Sequence, residues 1–159
     1  MKPILFLDID GVMAVFYDNK TINYKNSMMC LFKDTCVTSL NYIIEKTNCD
    51  IVISSDWRHH YNLSELCEIF KINKISKMPI DVTCLVKGSL QDLEKCRIEE
   101  IKIWLKDKSI DLWCAIDDMD LGGLGNEHFV RCVRPGREGL GQCGIKEKVI
   151  KKLTYENKN

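Results

Sequence analysis

Two aspartates, Asp8 and Asp10, stand two positions apart where the apolar run ILFLDIDGV ends. Ser54, Ser55 and Asp56 follow a second apolar run, DIVIS, and Asp117 and Asp118 close a third, DLWCAIDD. A carboxylate beside a buried segment is costly unless something compensates its charge. Gathered into one crevice, Asp8, Asp10, Asp117 and Asp118 would repel one another unless a hard cation sat between them, and an all-oxygen set of this kind suits Mg²⁺. The histidines at 59, 60 and 128 offer no ligand spacing, and no cysteine pair has the CxxC pattern of a zinc site.

A positive group next to an oxygen-rich metal site is what a phosphoryl group needs, because cation and metal together neutralise its equatorial oxygens. Arg97 stands at the start of the helix expected from residue 97, and Lys87 or Lys95 lies within reach on a loop. Ser54, at a strand end, can bind a further phosphate oxygen. One carboxylate of such a site can attack phosphorus to form an aspartyl phosphate, and a second can protonate the leaving oxygen and then activate water. The chemistry indicated is phosphoryl transfer. No GxxxxGK[ST] loop accompanies the site, which disfavours a nucleotide-dependent transferase.

These residues need elements to hold them. PILFLDI, DIVIS and DLWCAIDD are continuously apolar rather than alternating, the pattern of strands buried on both faces, and HFVRCV reads as a fourth. Between them, helical spacing appears from Asp34 to about Thr47, with Asp34 or Thr35 as cap. It recurs from Asn62 or Ser64 to Phe70, over Arg97 to Lys106, and over 145–153. Residues 12–25 suggest an irregular hairpin or flap turning near Asp18, Asn19 and Lys20, and IDVTCLV, 80–86, suggests a strand. Strands alternating with helices give an α/β fold with a mostly parallel sheet, whose carboxyl ends form the crevice where ligands bind.

The chain has 159 residues, 45% apolar and 29% charged, with 23 basic and 23 acidic side chains. That fits one globular domain over 1–159, and the charge balance argues against a surface coated in positive charge for non-specific nucleic-acid binding. Nine cysteines, an odd number, and an N-terminus whose apolar stretch is too short for a signal peptide predict reduced thiols and a cytoplasmic protein. No apolar run is long enough to span a membrane.

FLDIDGV resembles the first motif of the haloacid-dehalogenase-like (HAD) hydrolases, DxDG after a hydrophobic strand. The order FLDIDGV, ISSDWR, RIEEIKIWL, AIDDMD and GREGLG is similar, more narrowly, to the small HAD domains of Swiss-army-knife RNA repair proteins, over roughly residues 3–145. The resemblance implies a Rossmannoid three-layer fold with a capless or minimally flapped site. It makes Asp8 the nucleophile, Asp10 the general acid/base, Ser54 a phosphate ligand, Arg97 the third-motif cation with Lys87 as runner-up, and Asp117 and Asp118 Mg²⁺ ligands, with Asp120 a weaker candidate. It implies a Mg²⁺-dependent phosphomonoester hydrolase open to large substrates, a 3′ or 5′ phosphate end of nucleic acid among them. A 5′(3′)-nucleotidase or a protein phosphatase on the same fold is the alternative, and a non-enzymatic binding module the rival of another class.

Other residues admit two readings. Trp57 is either a core or lid residue or a stacking surface, and Arg58 reaches either a carboxylate or a phosphate. His59 and His60 read as exposed, and Trp104 and Trp113 as core. The flap carries Phe16, Tyr17, Met28 and Met29. Arg131, Arg134 and Arg137, with Lys146, Lys148, Lys151 and Lys152, form either a solvated face or a track for a phosphate-bearing polymer.

Overall fold

The computed structural model describes residues 2–15, 20–87, 92–133 and 138–154. Its centre is a five-stranded sheet in the order β5-β4-β1-β6-β7, comprising β1 (Ile4–Leu7), β4 (Asp50–Ile53), β5 (Asp81–Val82), β6 (Trp113–Asp117) and β7 (Phe129–Arg131). Every pairing in it is parallel. The helices are α1 (Asp34–Thr47), α2 (Leu63–Ile72), α3 (Leu93–Leu105) and α4 (Ile145–Lys152). A separate antiparallel hairpin of β2 (Thr21–Tyr24) and β3 (Ser27–Cys30) lies between β1 and α1.

The continuous apolar character of β1 has a direct cause in this arrangement. Leu5 and Leu7 join one core with Leu40 and Ile43 of α1, Leu66 and Phe70 of α2, and Val149 of α4. Ile4 and Phe6 join another with Ile101 of α3. The sheet is thus covered on both faces, as a parallel sheet linked by crossover helices must be. Phe6 is wholly buried and meets Trp104 and Trp113 edge-on at centroid distances of 5.3 and 5.9 Å. Both tryptophans pack on that core while keeping part of their surface exposed.

Several local expectations are corrected. The hairpin of β2 and β3 turns at Lys25 and Asn26, both with positive φ. Asp18 and Asn19, like Phe16 and Tyr17 of the flap, lie outside the described residues. Helix α1 begins at Asp34 but Lys33 occupies the N-cap position and no side chain caps it, whereas Asn48 in the left-handed conformation ends it. Helix α3 starts at Leu93, so Arg97 sits in its second turn rather than at its start, and Lys95 is on the helix, exposed and paired with Asp92 at 2.9 Å. The strand expected from IDVTCLV is only two residues long, at the sheet edge.

All nine cysteines are unbridged, with Cys36, Cys49, Cys114 and Cys132 buried and Cys84 and Cys143 exposed. Among the described residues no helix is long and apolar enough to cross a membrane.

Helix α2 carries a reciprocal cap: Asn62 Oδ1 accepts from Glu65 N at 3.0 Å, and Glu65 Oε2 accepts from Asn62 N at 2.9 Å. Removing the first of these with Asn62→Ala should lower unfolding stability by about 1 kcal/mol, read from the urea midpoint at constant slope. An unchanged midpoint would show that the cap does not hold this helix.

Candidate active site

The register decides which side chains meet. Leu7 of β1 pairs with Ile53 of β4 on one side and Ile116 of β6 on the other. The residues that follow, Asp8, Ser54 and Asp117, therefore emerge side by side at the carboxyl edge of three adjacent strands. The ladder continues through this level: Asp8 N donates to Ile116 O and Ser54 N to Leu7 O, at 3.1 and 2.9 Å. All three residues are buried, as is Asp118. One carboxylate oxygen from each of Asp8, Asp117 and Asp118 lies within 4.8 Å of the others.

Arg97 reaches this cluster from α3, itself only 5% exposed. Its Nη1 lies 3.0 Å from Asp117 Oδ2 and 3.3 Å from Asp8 Oδ1 and also donates to the Ser54 carbonyl, while Nη2 donates to Asp56 Oδ1 at 2.8 Å. A second buried pair backs it up. Arg58 bonds Glu100 Oε2 and Thr83 Oγ1, and the same Glu100 oxygen stands 3.8 Å from Arg97 Nε. Arg58 is therefore turned to a neighbouring carboxylate. Burial opposes the charge on Arg97, yet Asp8, Asp117, Asp56 and Glu100 outweigh it and raise its pKa.

The carboxylates remain in excess. Burial, then the charge of Asp117, pushes Asp8 well above the usual carboxylate range against the opposing pull of Arg97 and a hydrogen bond from Ser55. Burial likewise raises Asp117 from 3.8 to about 6, although Arg97 and the Met119 N–H, which donates to Oδ1 at 2.9 Å, work in the other direction. Among the described residues Arg97 is the cation in direct contact with this cluster, and a single guanidinium does not balance three carboxylates. An all-oxygen, anionic, buried set fits a hard divalent cation, and Asp8, Asp117 and Asp118 are the side chains placed to hold it. The Ser54 hydroxyl, buried in the same place, has no hydrogen-bond partner among the described residues. A buried hydroxyl without a partner costs roughly 1–3 kcal/mol, which a ligand oxygen would offset.

Asp10 stands apart from this group. It is exposed, past the strand, and accepts from Trp57 Nε1 at 3.0 Å. The indole is packed with Phe32 and Tyr61 at centroid distances of 6.0 and 5.5 Å, so Trp57 joins the aromatic packing beneath the hairpin to the Asp10 carboxylate. After Asp10 the chain folds back on itself: Gly11, Val12, Met13 and Ala14 form a tight turn with repeated bonds to Ile9 O and Ala14 O. Gly11 has φ +78, and a Cβ there would overlap the Asp118 carboxylate. The GLG turn at 139–141 braces this loop, with Leu140 N donating to Val12 O at 2.9 Å.

Lys87 is exposed and pairs with none of the clustered carboxylates among the described residues. Asp120 is outside the cluster too. It pairs with Arg131 at 3.4 Å, and Arg131 Nε donates to the Asp118 carbonyl at 3.1 Å, so both shape the rim. His59 and His60 are exposed, as expected. Arg134 and Arg137 lie outside the described residues. Sequence reasoning missed Ser55 and the Glu100 link, and it left Asp56 without a role. The i, i+3 spacing of Arg97 and Glu100 on an expected helix was the available signal for one of them.

Two outcomes follow from this geometry. Gly11→Ala should displace Asp118 and weaken divalent-cation binding by about tenfold or more, read by isothermal titration; unchanged binding would remove Asp118 from the metal set. The raised Asp117 pKa means that the folded protein holds a proton which the unfolded chain has released between pH 3.8 and about 6. In metal-free protein this contribution to stability is present below that window and is lost as pH rises through it. Thermal melting across the window, without divalent ions, should show the corresponding decline, and Mg²⁺ should reverse it above the window.

Residues 4–141 match the family described as HAD domain in Swiss Army Knife RNA repair proteins. No curated protein and no solved structure matched the chain. The match spans the turn after β1, the strand ends that carry the clustered carboxylates, the arginine of α3 and the closing GLG turn. The chain belongs to this family of HAD domains, and its general activity is that of a HAD-superfamily hydrolase.

Proposed function

We propose that the protein is a Mg²⁺-dependent phosphomonoester hydrolase that forms an aspartyl phosphate on Asp8 and acts on a terminal 3′ or 5′ phosphate of RNA. The observation that carries this reading is the meeting of Asp8, Asp117 and Asp118 within 4.8 Å of one another and against the buried Arg97 guanidinium. Family membership with RNA-repair domains supports the substrate class. The exposure of Asp10 beside the cluster supports it as well, since an end of a polymer needs an approach that a closed pocket would deny.

In this reading Asp8, Asp117 and Asp118 would hold Mg²⁺, whose charge would lower the repulsion between the nucleophile and the phosphoryl oxygens. Arg97 Nη1 and the unpartnered Ser54 hydroxyl hold the phosphoryl oxygens in line with Asp8. A carboxylate oxygen of Asp8 forms a bond to phosphorus while the bond from phosphorus to the ester oxygen breaks. Protonated Asp10 gives its proton to that leaving oxygen. Asp10, now ionised, takes a proton from water, and the resulting nucleophile attacks phosphorus, releasing inorganic phosphate and restoring the Asp8 carboxylate. Trp57 Nε1 fixes Asp10 at the solvent side of the site, where a leaving group would depart.

Phosphate release should be measured with and without Mg²⁺ from 3′- and 5′-phosphorylated oligoribonucleotides, nucleoside monophosphates and a phosphopeptide. Release from an oligonucleotide end that needs Mg²⁺ and falls at least about a thousandfold in folded Asp8→Asn is the expected result. Preference for free nucleotides would redirect the assignment to a 5′(3′)-nucleotidase, and preference for the peptide to a protein phosphatase. Undiminished release by the variant would remove Asp8 as nucleophile.

A further inference from the structure

A concavity apart from the carboxylate cluster adjoins the hollow that holds Asp118. It is a groove of about 710 Å³ along the outer edge of β7, between that strand and α4. It begins at Arg131 and Val133 and extends to Asn126 and Asp111, which precede β7 and β6. Arg131 and Val133 also line the smaller hollow that holds Asp118, Glu94 and Met119. The two depressions therefore share a wall formed by Arg131 and Val133.

The lining has the charge and the surfaces that a polynucleotide needs. Lys148, Lys151 and Lys152 lie at i, i+3 and i+4 on one face of α4, and with Arg131 they set four cations against the acidic Asp111 and Glu127. Lys146, although on the same helix, faces away, its ammonium 5.4 Å from the Tyr42 ring centroid. The basic residues of the last helix are thus divided between two faces, and only one face lines the groove. Lys152 is anchored on the Asn126 carbonyl. Between the cations lies ring and aliphatic surface: His128 is stacked parallel on Trp113 at 3.9 Å, and Val133 is 52% exposed. Backbone-tracking cations interleaved with a flat ring and apolar ground are the parts of a single-strand site. An acidic peptide would use the cations but not the stacked ring.

We infer that the β7–α4 groove is a binding track for the single-stranded RNA that continues from the phosphorylated end, with Lys148, Lys151 and Lys152 holding its backbone phosphates. This inference rests on the RNA-end reading above and adds a second contact region remote from the reacting phosphate.

The test is fluorescence anisotropy in Mg²⁺-free buffer, so that binding is read without turnover. The probes are single-stranded RNA octamers with a phosphate at one end and fluorescein at the other, and a fluorescein-labelled acidic peptide of matched charge. Lys148→Gln/Lys151→Gln should weaken octamer binding about tenfold at low salt and flatten the slope of log K against log salt by about 0.7 per lost phosphate contact. The control pair Lys102→Gln/Lys106→Gln, in the last turn of α3 and at its C-cap on the opposite face of the sheet, should leave both unchanged. Unchanged affinity in the groove variant, or equal losses in both pairs, would overturn the track. Equal or tighter binding of the peptide would overturn the assignment to nucleic acid. Phosphate release by wild-type protein from p-nitrophenyl phosphate separates the two readings: silence there with groove-dependent octamer binding defeats the catalytic proposal alone, and turnover with groove-independent binding defeats the track alone.

Discussion

The site depends on one buried guanidinium. Arg97 is held by Asp8 and Asp117 on one side, by Asp56 on another, and by Glu100 through its Nε edge. A planar group with donors in fixed directions can satisfy several acceptors at once, which a lysine ammonium on a flexible stem would do less well. Removing it would leave carboxylates buried without their cation, a change that typically costs roughly 3–5 kcal/mol. The same excess of negative charge that makes Arg97 indispensable also leaves room for a second positive charge. Folding and the proposed binding of a cation would therefore draw on one set of oxygen atoms.

The strand order explains why so short a chain can build this cluster. In a parallel sheet with β1 between β4 and β6, the residues after three strand ends become neighbours without any long loop to position them. Precision comes from the ladder, which continues into Asp8 and Ser54, and from Gly11, whose missing Cβ lets the next turn approach Asp118. The GLG turn then braces that loop from the far end of the family match. Asp10 is governed differently: it accepts from the indole of a packed aromatic group and faces solvent while Asp8 stays buried.

Much of this was legible in the sequence because burial on both sheet faces leaves an unbroken apolar run, and a polar residue that ends such a run is conspicuous. The convergence of Asp8, Ser54, Asp117 and Asp118 needed only the assumption that three such strands are neighbours. Where pairing or capping depends on atoms distant in sequence, periodicity carried no signal. Ser54 was the serine singled out at this strand end, and nothing in the sequence showed that its neighbour Ser55 bonds Asp8 while, among the described residues, the Ser54 hydroxyl has no partner. Arg58 could not be oriented until Glu100 was known to lie across from it. The start of α3 was displaced because Leu93 and Glu94 precede the clear apolar repeat, and this placed Arg97 at a helix start instead of deep in a turn facing the strand ends. The lysines of α4 read as one basic run, whereas the helix divides them between Tyr42 and the β7 groove.

The central claim is that Asp8 carries the phosphoryl group covalently. Its most direct test is to acid-quench the protein during turnover of a phosphorylated oligoribonucleotide, reduce with borohydride, and map the peptides by mass. The account predicts that reduction converts Asp8, and no other carboxylate, to homoserine, and only when both Mg²⁺ and substrate are present. Phosphate release with no trapped residue, or trapping at Asp10, Asp117 or Asp118, would contradict it.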